Sequence, residues 1–432
     1  CAKKLLFLLN ENKGGELSLY YRAATLSHID RFIAHYQLFG GLVETSTREK
    51  IAFFPGTFDP FTLSHKEIAK KIQELGFTVF LAIDEFSWSK KTQPHLVRRQ
   101  IVNMSIADEF YVHLFPDNTP VNNFETLWRI IDTQYCFHDY KAQEGCLPWN
   151  EVYAKYRPRV HDGMTSAQLF EVLCDMLSEL RDGHVNLYSA ADVGRYWSWH
   201  EDYPSNFNDS IHQVYLGTDY RIAAGMYYKI LDDNIGYIYY GSFSSGIGEG
   251  NLDEVMYYLR LCNGLIVDVR NNSGGTLTYA ERLAERFTNE KRLVGYIAHK
   301  TGTGHNDFSS PEAEYIEPSK GIRWQKKVVV LTNRRSYSAT NDFVNQMSCL
   351  PNVTIIGDKT GGGSGMPFTS ELPNGWTVRF SASPHFSVDM EQIEWGIDPD
   401  IKIDMDETDE AKHIDTIIEK ARAFLKGEWT PE

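Results

Sequence analysis

Three short apolar runs, each delivered straight into a glycine- or serine-rich turn, limit what the second half of this chain can fold into. Gly264-Leu265-Ile266-Val267-Asp268-Val269-Arg270 leads into Asn271-Asn272-Ser273-Gly274-Gly275 and a helical pattern over 277–287. Val328-Val329-Val330-Leu331 leads into the turn 333–338 and a second helical pattern, and Val353-Thr354-Ile355-Ile356 ends in the glycine-rich stretch 357–365. Runs this short, β-branched and free of polar alternation suit strands buried on both faces. Strands that alternate with helices in this way specify an α/β sheet covered by helices.

The turns themselves carry chemistry. In Asn333-Arg334-Arg335-Ser336-Tyr337-Ser338-Ala339-Thr340-Asn341-Asp342-Phe343, a serine at a strand-to-helix turn can expose its hydroxyl while the next backbone N–H groups face the same space. That arrangement suits an acyl-transfer nucleophile beside an oxyanion site. The competing reading is that Ser336, Ser338 and Thr340 simply cap a helix. The 271–275 loop can also aim N–H groups at an anion, and it lacks the residue order of a P-loop. A helix over 165–180, with Leu169, Leu173, Met176, Leu177 and Leu180 on one face, delivers Arg181-Asp182-Gly183-His184. A histidine held there can act as general base, or it is a satisfied core histidine.

Composition excludes some function classes. The 432 residues carry a net charge of −15 at a pI near 5.4, which argues against a nucleic-acid partner. Six scattered cysteines without a CxxC pair indicate neither a zinc site nor a disulfide scaffold, although Cys136 and Cys146 could pair in an oxidising compartment. No stretch approaches 18 apolar residues, so no membrane span is expected, and the five apolar residues near the start are too few for a signal segment. The acidic run 404–410 lacks calcium-loop spacing and reads as a solvated lead into a helix over 411–425. No metal or cofactor is expected.

The first part of the chain has a different character. Ile51-Ala52-Phe53-Phe54 reads as a strand, followed by Gly56-Thr57-Phe58-Asp59-Pro60, Thr62-Leu63-Ser64-His65, a helix and the strand Thr78-Val79-Phe80-Leu81-Ala82-Ile83. This piece resembles the nucleotidyltransferases that adenylylate nicotinate mononucleotide or phosphopantetheine, whose G-T-F-D-P and [HT]-x-G-H motifs it matches except for Ser64 in place of glycine. The resemblance implies a partial, Rossmann-like α/β module with Thr57 and His65 as nucleotide-binding residues. A helical pattern over 17–39 precedes it. Ser89-Lys90-Lys91-Thr92 with Arg98-Arg99 could contact phosphate or form a solvated basic helix start.

Four segments of the second part occur in a telling order: Asp182-Gly183-His184, 268–275, Ser336-Tyr337-Ser338-Ala339-Thr340, and Gly396-Ile397-Asp398-Pro399-Asp400. Over about 124–425 they resemble the serine peptidases that include the tail-specific (carboxy-terminal-processing) proteases, the tricorn core and interphotoreceptor retinoid-binding protein. The resemblance implies a crotonase/ClpP-like α/β core with a helical amino-terminal subdomain. It also implies Ser338 as nucleophile, with oxyanion donors from Ala339 and either Gly274 or Gly275. The lysine of the tail-specific members falls on Gly363, and Lys359 lies four residues too early, so a Ser–Lys dyad is absent. In tricorn-type members the base is a histidine, here His184, with Gly183 replacing the serine before it. A late glutamate falls nearest Glu394, with Glu391 competing. About fifty residues between His184 and Ile235 leave no room for the PDZ domain that the family often carries.

The chain is therefore expected to comprise a nucleotidyltransferase-like piece over 1–122, a helical and irregular subdomain over 123–232, and a peptidase core over 233–432. The leading expectation is a serine endopeptidase acting on a peptide or protein. A non-catalytic ligand- or peptide-binding member of the same fold and a nucleotidyltransferase acting through His65 are the alternatives. The peptidase part points to a periplasmic or envelope address, the amino-terminal piece to the cytoplasm.

Overall fold

A computed structural model describes residues 50–56, 58–59, 61–83, 95–106, 112–114 and 118–430. The expected helix over 17–39, Thr57, the Ser89–Thr92 cluster and residues 116–117 of the 116–123 junction lie outside the described residues. Among the described residues, no helix is long and apolar enough to cross a membrane.

The chain divides into two compact units. One takes the described residues up to Ile130, with Arg159–Leu169 and Ser370–Thr377. It holds a parallel sheet in the order β1 (Lys50–Gly56), β2 (Phe77–Ile83), β3 (Val112–Leu114), with helices α1 (Leu63–Glu74) and α2 (His95–Ile106) in the crossovers. Phe58, Phe61, Ala69, Val79, Leu81, Val102 and Ile106 form its core.

The other unit comprises Ile131–Pro158, Phe170–Thr369 and Val378–Glu432. Its centre is a seven-stranded sheet in the order β16 (Ile401–Lys402), β13 (Val353–Gly357), β12 (Val328–Thr332), β9 (Gly264–Asp268), β8 (Ile235–Tyr240), β7 (Met226–Ile230), β6 (Arg221–Ala223). The first five run parallel, and β7 and β6 are antiparallel additions. Strands buried on both faces divide their apolar residues by parity, because successive side chains point to opposite faces. Leu265, Val267, Val328 and Val330 enter one core, packed by α9 (Glu249–Leu259), α10 (Leu277–Ala284) and α11 (Ala339–Ser348). Ile266, Val329 and Leu331 enter the other, packed by α8 (Asp209–Leu216) and α13 (Thr416–Lys426). A second sheet runs β11 (Glu312–Ile316), β10 (Arg292–Ile297), β15 (Thr377–Phe386), β4 (Asn186–Tyr188), β5 (Val193–Arg195), with β14 (Gly365–Glu371) on β15.

Several sequence boundaries shift, each for a local reason. Helix α3 (Pro120–Gln134) runs straight through the expected 122/123 boundary, because proline suits a first helical turn. The 232/233 boundary fails because β7 and β8 form an antiparallel hairpin across it. The helix expected from 411 starts at Thr416, where Asp415 caps the N–H of Ile418. Before it, the acidic run forms the single turn α12 (Glu407–Glu410). Cys136 and Cys146 are free thiols.

Under the ends of β9 and β12 lies a buried charge cluster. Arg270 is fully buried, bonded to Asp268 at 2.6 Å and Asp415 at 3.0 Å, and it also donates to the Asn206 carbonyl at 3.3 Å. Such a cluster holds when complete and fails when one partner is removed, since the remaining charges are left desolvated. Replacing Arg270 by Leu strands two buried carboxylates. We expect a loss of roughly 3–5 kcal/mol, read from the urea midpoint, and a shift below 1 kcal/mol would contradict this account of the sheet's carboxyl edge.

Candidate active site

Strands β9 and β12 lie side by side and parallel, with Leu331 opposite Asp268, so their following turns emerge together at the carboxyl edge of the sheet. Side-chain amides clamp the two turns. Asn333 accepts from the Asn271 N–H at 2.9 Å and donates to Asn271 Oδ1 at 2.9 Å. Ser336 Oγ donates to the Val269 carbonyl at 2.9 Å, and the Tyr337 N–H donates to the Asn272 carbonyl at 3.1 Å.

Between them stands Ser338, with φ 59° and ψ −123°. A non-glycine residue rarely adopts positive φ, and here it turns the side chain away from its own helix. Ser338 occupies the N-cap position of α11 yet makes no capping bond. Its Oγ lies 2.9 Å from His184 Nε2 instead. The simple helix-cap reading therefore does not describe Ser338, and Ser336 is spent on the neighbouring turn.

His184 is buried and fixed from behind by Asp182, whose Oδ1 accepts the His184 backbone N–H at 2.7 Å. The other carboxylate oxygen accepts from Tyr135 at 2.9 Å and Ser381 at 2.8 Å. Burial pushes the His184 imidazole down to about 4, opposed by the Asp182 charge and reinforced by that of Arg379. The Gly365 backbone lies beside the ring and favours its protonated form, while Nδ1 makes no full hydrogen bond.

The two glycines before α10 differ. The Gly274 N–H is taken by Asn272 Oδ1 at 3.0 Å, and a Cβ on Gly274 would come within 2.8 Å of Ser338 Cβ and 2.9 Å of the Ala339 nitrogen. Gly275 lines the cleft with Ser338 and Ala339. A cavity of about 100 Å³ adjoins these residues, also lined by Asn341, Asp342, Met366, Arg379 and His385. His385 is buried between carboxylates, with Nδ1 3.3 Å from Glu314 and 3.7 Å from Asp342. Their charges overcome desolvation and push it up to about 10.

Glu394 does not touch the histidine. It is buried beneath the serine turn, paired with Lys141 Nζ at 2.9 Å and accepting the Ser364 N–H at 2.9 Å. Burial pushes its carboxyl up to about 7 against the pull of Lys141, with Asp182 adding to the rise. Glu391 lies exposed on the Ser387 turn, away from these groups. Lys359 pairs with Asp398 at 3.0 Å, and a side chain on Gly363 would overlap the Tyr337 ring. In the other unit, His65 Nδ1 accepts from the Thr62 N–H at 3.0 Å and lies 2.9 Å from Thr62 Oγ1, so it caps α1. Sequence reasoning gave no role to Lys141, Tyr337, Trp199 and Arg379, although Tyr337, like Asp182, stood inside a recognised segment.

The space left by Gly183 is taken. A Cβ there would lie 2.6 Å from Trp199 Nε1 and 2.8 Å from the Tyr337 hydroxyl, and those two rings stack with centroids 4.0 Å apart. Introducing serine by Gly183→Ser should therefore lower both melting temperature and activity, with an overpacking cost of about 1–3 kcal/mol. A variant as stable and active as the parent would show that the aromatic pair does not fill this position.

Comparisons with known proteins identify the family. The sequence profile of Peptidase family S41 matches residues 234–403, and that of the Tricorn protease C1 domain matches 116–178. The chain is similar to a putative peptidase from Parabacteroides merdae, with 53% identity and a TM-score of 0.69, covering 73% of this chain and 100% of that one. It is 25% identical to the carboxy-terminal processing protease CtpA of Bacillus subtilis over 47% of this chain and 44% of that protein, so it spans less than half of this curated relative. Mature CPAF shares the fold at 12% identity and a TM-score of 0.57, over 72% of this chain and 98% of that one. Neither profile reaches residues 51–115, and the nucleotidyltransferase resemblance gains no support.

Proposed function

This chain belongs to peptidase family S41, and from that premise we propose that it is a serine endopeptidase working through a Ser338–His184 pair. The observation that carries the reading is the 2.9 Å approach of Ser338 Oγ to His184 Nε2 across 154 positions of sequence. For a histidine to serve as base it must be neutral at the working pH and within hydrogen-bond reach of the hydroxyl, and the burial that lowers the His184 pKa and the 2.9 Å approach support this reading.

Ser338 Oγ attacks the substrate carbonyl carbon as its proton passes to His184 Nε2. The carbonyl oxygen becomes an oxyanion that the N–H groups of Ala339 and Gly275 receive, the Gly274 N–H being already engaged. Collapse expels the amine, which takes the proton from His184, and leaves an ester on Ser338. Water then attacks the ester with His184 again as base, releasing the acid and restoring the serine. Asp182 holds the histidine's backbone. Glu394 acts as a positioning residue, keeping Ser364 and the loop beside the imidazole in place through Lys141. The substrate is a peptide or protein, and the cell envelope is the address that goes with this reading.

A fluorophosphonate probe should label Ser338, and His184→Ala should abolish labelling. Ser338→Ala should reduce peptide hydrolysis roughly 10⁴-fold or more. A folded protein that neither labels nor hydrolyses would favour a non-catalytic binder of the same fold.

The pH dependence has a definite sign. The base is active when neutral, and its pKa is lowered, so kcat/KM should stay flat through the ordinary histidine range and fall only as pH approaches about 4. A limb near 7 that vanishes in Glu394→Gln would instead assign the titration to the buried carboxyl.

A further inference from the structure

Arg379 projects from β15 into the cleft that holds Ser338 and His184. Its hydrogen bond is a long one, from Nη1 to Asn186 Oδ1 at 3.4 Å. Among the described residues, no carboxylate lies within 4.0 Å of its guanidinium. Three other sheltered arginines of the same unit are matched with acids, Arg270 with Asp268 and Asp415, Arg286 with Glu249 and Asp253, and Arg422 with Asp233 and Glu419, while Arg334 stacks on Tyr203. A half-buried guanidinium is a rigid fork of donors, and with one long bond to the chain Arg379 keeps most of that fork open to an anion in the cleft.

The acids nearest the cleft are already engaged. Asp342 and Glu314 flank the His385 imidazole, and Gln346 donates to Asp342 at 2.7 Å. Arg379 is thus the cation of the cleft without an acid, so an anion for it comes from outside the chain.

The chemistry of the proposed reaction orients that anion. The leaving amine must take its proton from His184 Nε2, so residues after the scissile bond pass the imidazole, while the acyl side remains on Ser338 under Ala339 and Gly275. Arg379 bonds Asn186, two residues after His184, and lines the same cleft as the imidazole. A group beside the imidazole's own segment meets the part of the substrate that passes the imidazole.

Building on the peptidase reading above, we propose that Arg379 is a specificity-determining residue that binds a carboxylate on the leaving-group side of the cut, either an acidic side chain or the free end of the substrate chain. The fork of Arg379 takes the two carboxylate oxygens in parallel, which an amide cannot match.

The test uses internally quenched peptides that differ only after the cut, carrying Glu or Gln there, each with a free or an amidated carboxyl end. Wild-type kcat/KM should favour a carboxylate about tenfold or more. The pair of arms in which the preference appears identifies its source, side chain or chain end. In Arg379→Gln the acid-to-amide ratio should fall to about one, and in Arg379→Lys, which keeps charge but loses the fork, it should lie between. The acid limb of kcat/KM should also move up in Arg379→Gln, because a cation near His184 has gone. A wild-type enzyme that labels with fluorophosphonate and hydrolyses all four peptides equally would overturn the proposal and leave the peptidase reading intact. So would a ratio unchanged by Arg379→Gln. Wild type that neither labels nor hydrolyses would remove both.

Discussion

The site depends on one backbone constraint, the positive φ of Ser338. Left to itself a serine at the start of a helix turns its hydroxyl back onto the helix N–H groups, a bond worth about 1 kcal/mol. Holding φ at 59° denies it that bond and costs of order 1–3 kcal/mol. The neighbourhood supplies the restraint. The Ser338 N–H donates to the Gly362 carbonyl at 2.8 Å, the Gly361 N–H to the Ser336 carbonyl at 2.9 Å, and the paired asparagines Asn271 and Asn333 tie the turn to its neighbour. Glycine is needed at 362 and 363, where φ is 83° and 77° and the Glu394 backbone and Tyr337 ring leave no room for a side chain. The strain of one residue is thus held by a clamp assembled from three loops.

That clamp explains why the electrostatics are so uneven over a short distance. Facing the cleft, His184 has its pKa lowered by burial. Beneath the turn, Glu394, Lys141 and Asp182 form a layer of buried charge whose hydrogen bonds go to backbone groups of the clamp. A buried ion pair is weak evidence for stability, because desolvation offsets most of its attraction. Its value here is directional: Asp182 holds the His184 N–H and the Tyr135 and Ser381 hydroxyls, and Glu394 holds the Ser364 N–H.

Much of this was legible in the sequence. The runs at 264–270, 328–331 and 353–356 announced their strands because strands buried on both faces lack polar alternation; the serine turn stood directly after one of them, and the histidine followed the helix pattern over 165–180. What escaped was whatever depends on distant pairing. Arg379 sits in a strand where nothing local marks it, and its meaning comes from the acids it does not meet. Lys141 reads as an ordinary solvated lysine of a short helix, yet it is buried against a residue 253 positions away. That the Gly274 N–H is engaged depends on an Asn272 side chain whose direction sequence cannot give. His65 showed the converse, since a motif-like pattern was met by local capping alone.

The aromatic pair of Tyr337 and Trp199 has a consequence for how such enzymes change hands between bases. Tyr337 fills the volume that a side chain on Gly363 would need, and the same hydroxyl, with Trp199, fills the volume beside Gly183. A lysine at 363 would arrive to find its berth occupied, and shrinking the tyrosine first would open a hole next to the histidine. In this chain a lysine at 363 thus meets either a crowded or a hollowed site, and the obstacle is the shape of a ring rather than the reactivity of an amine.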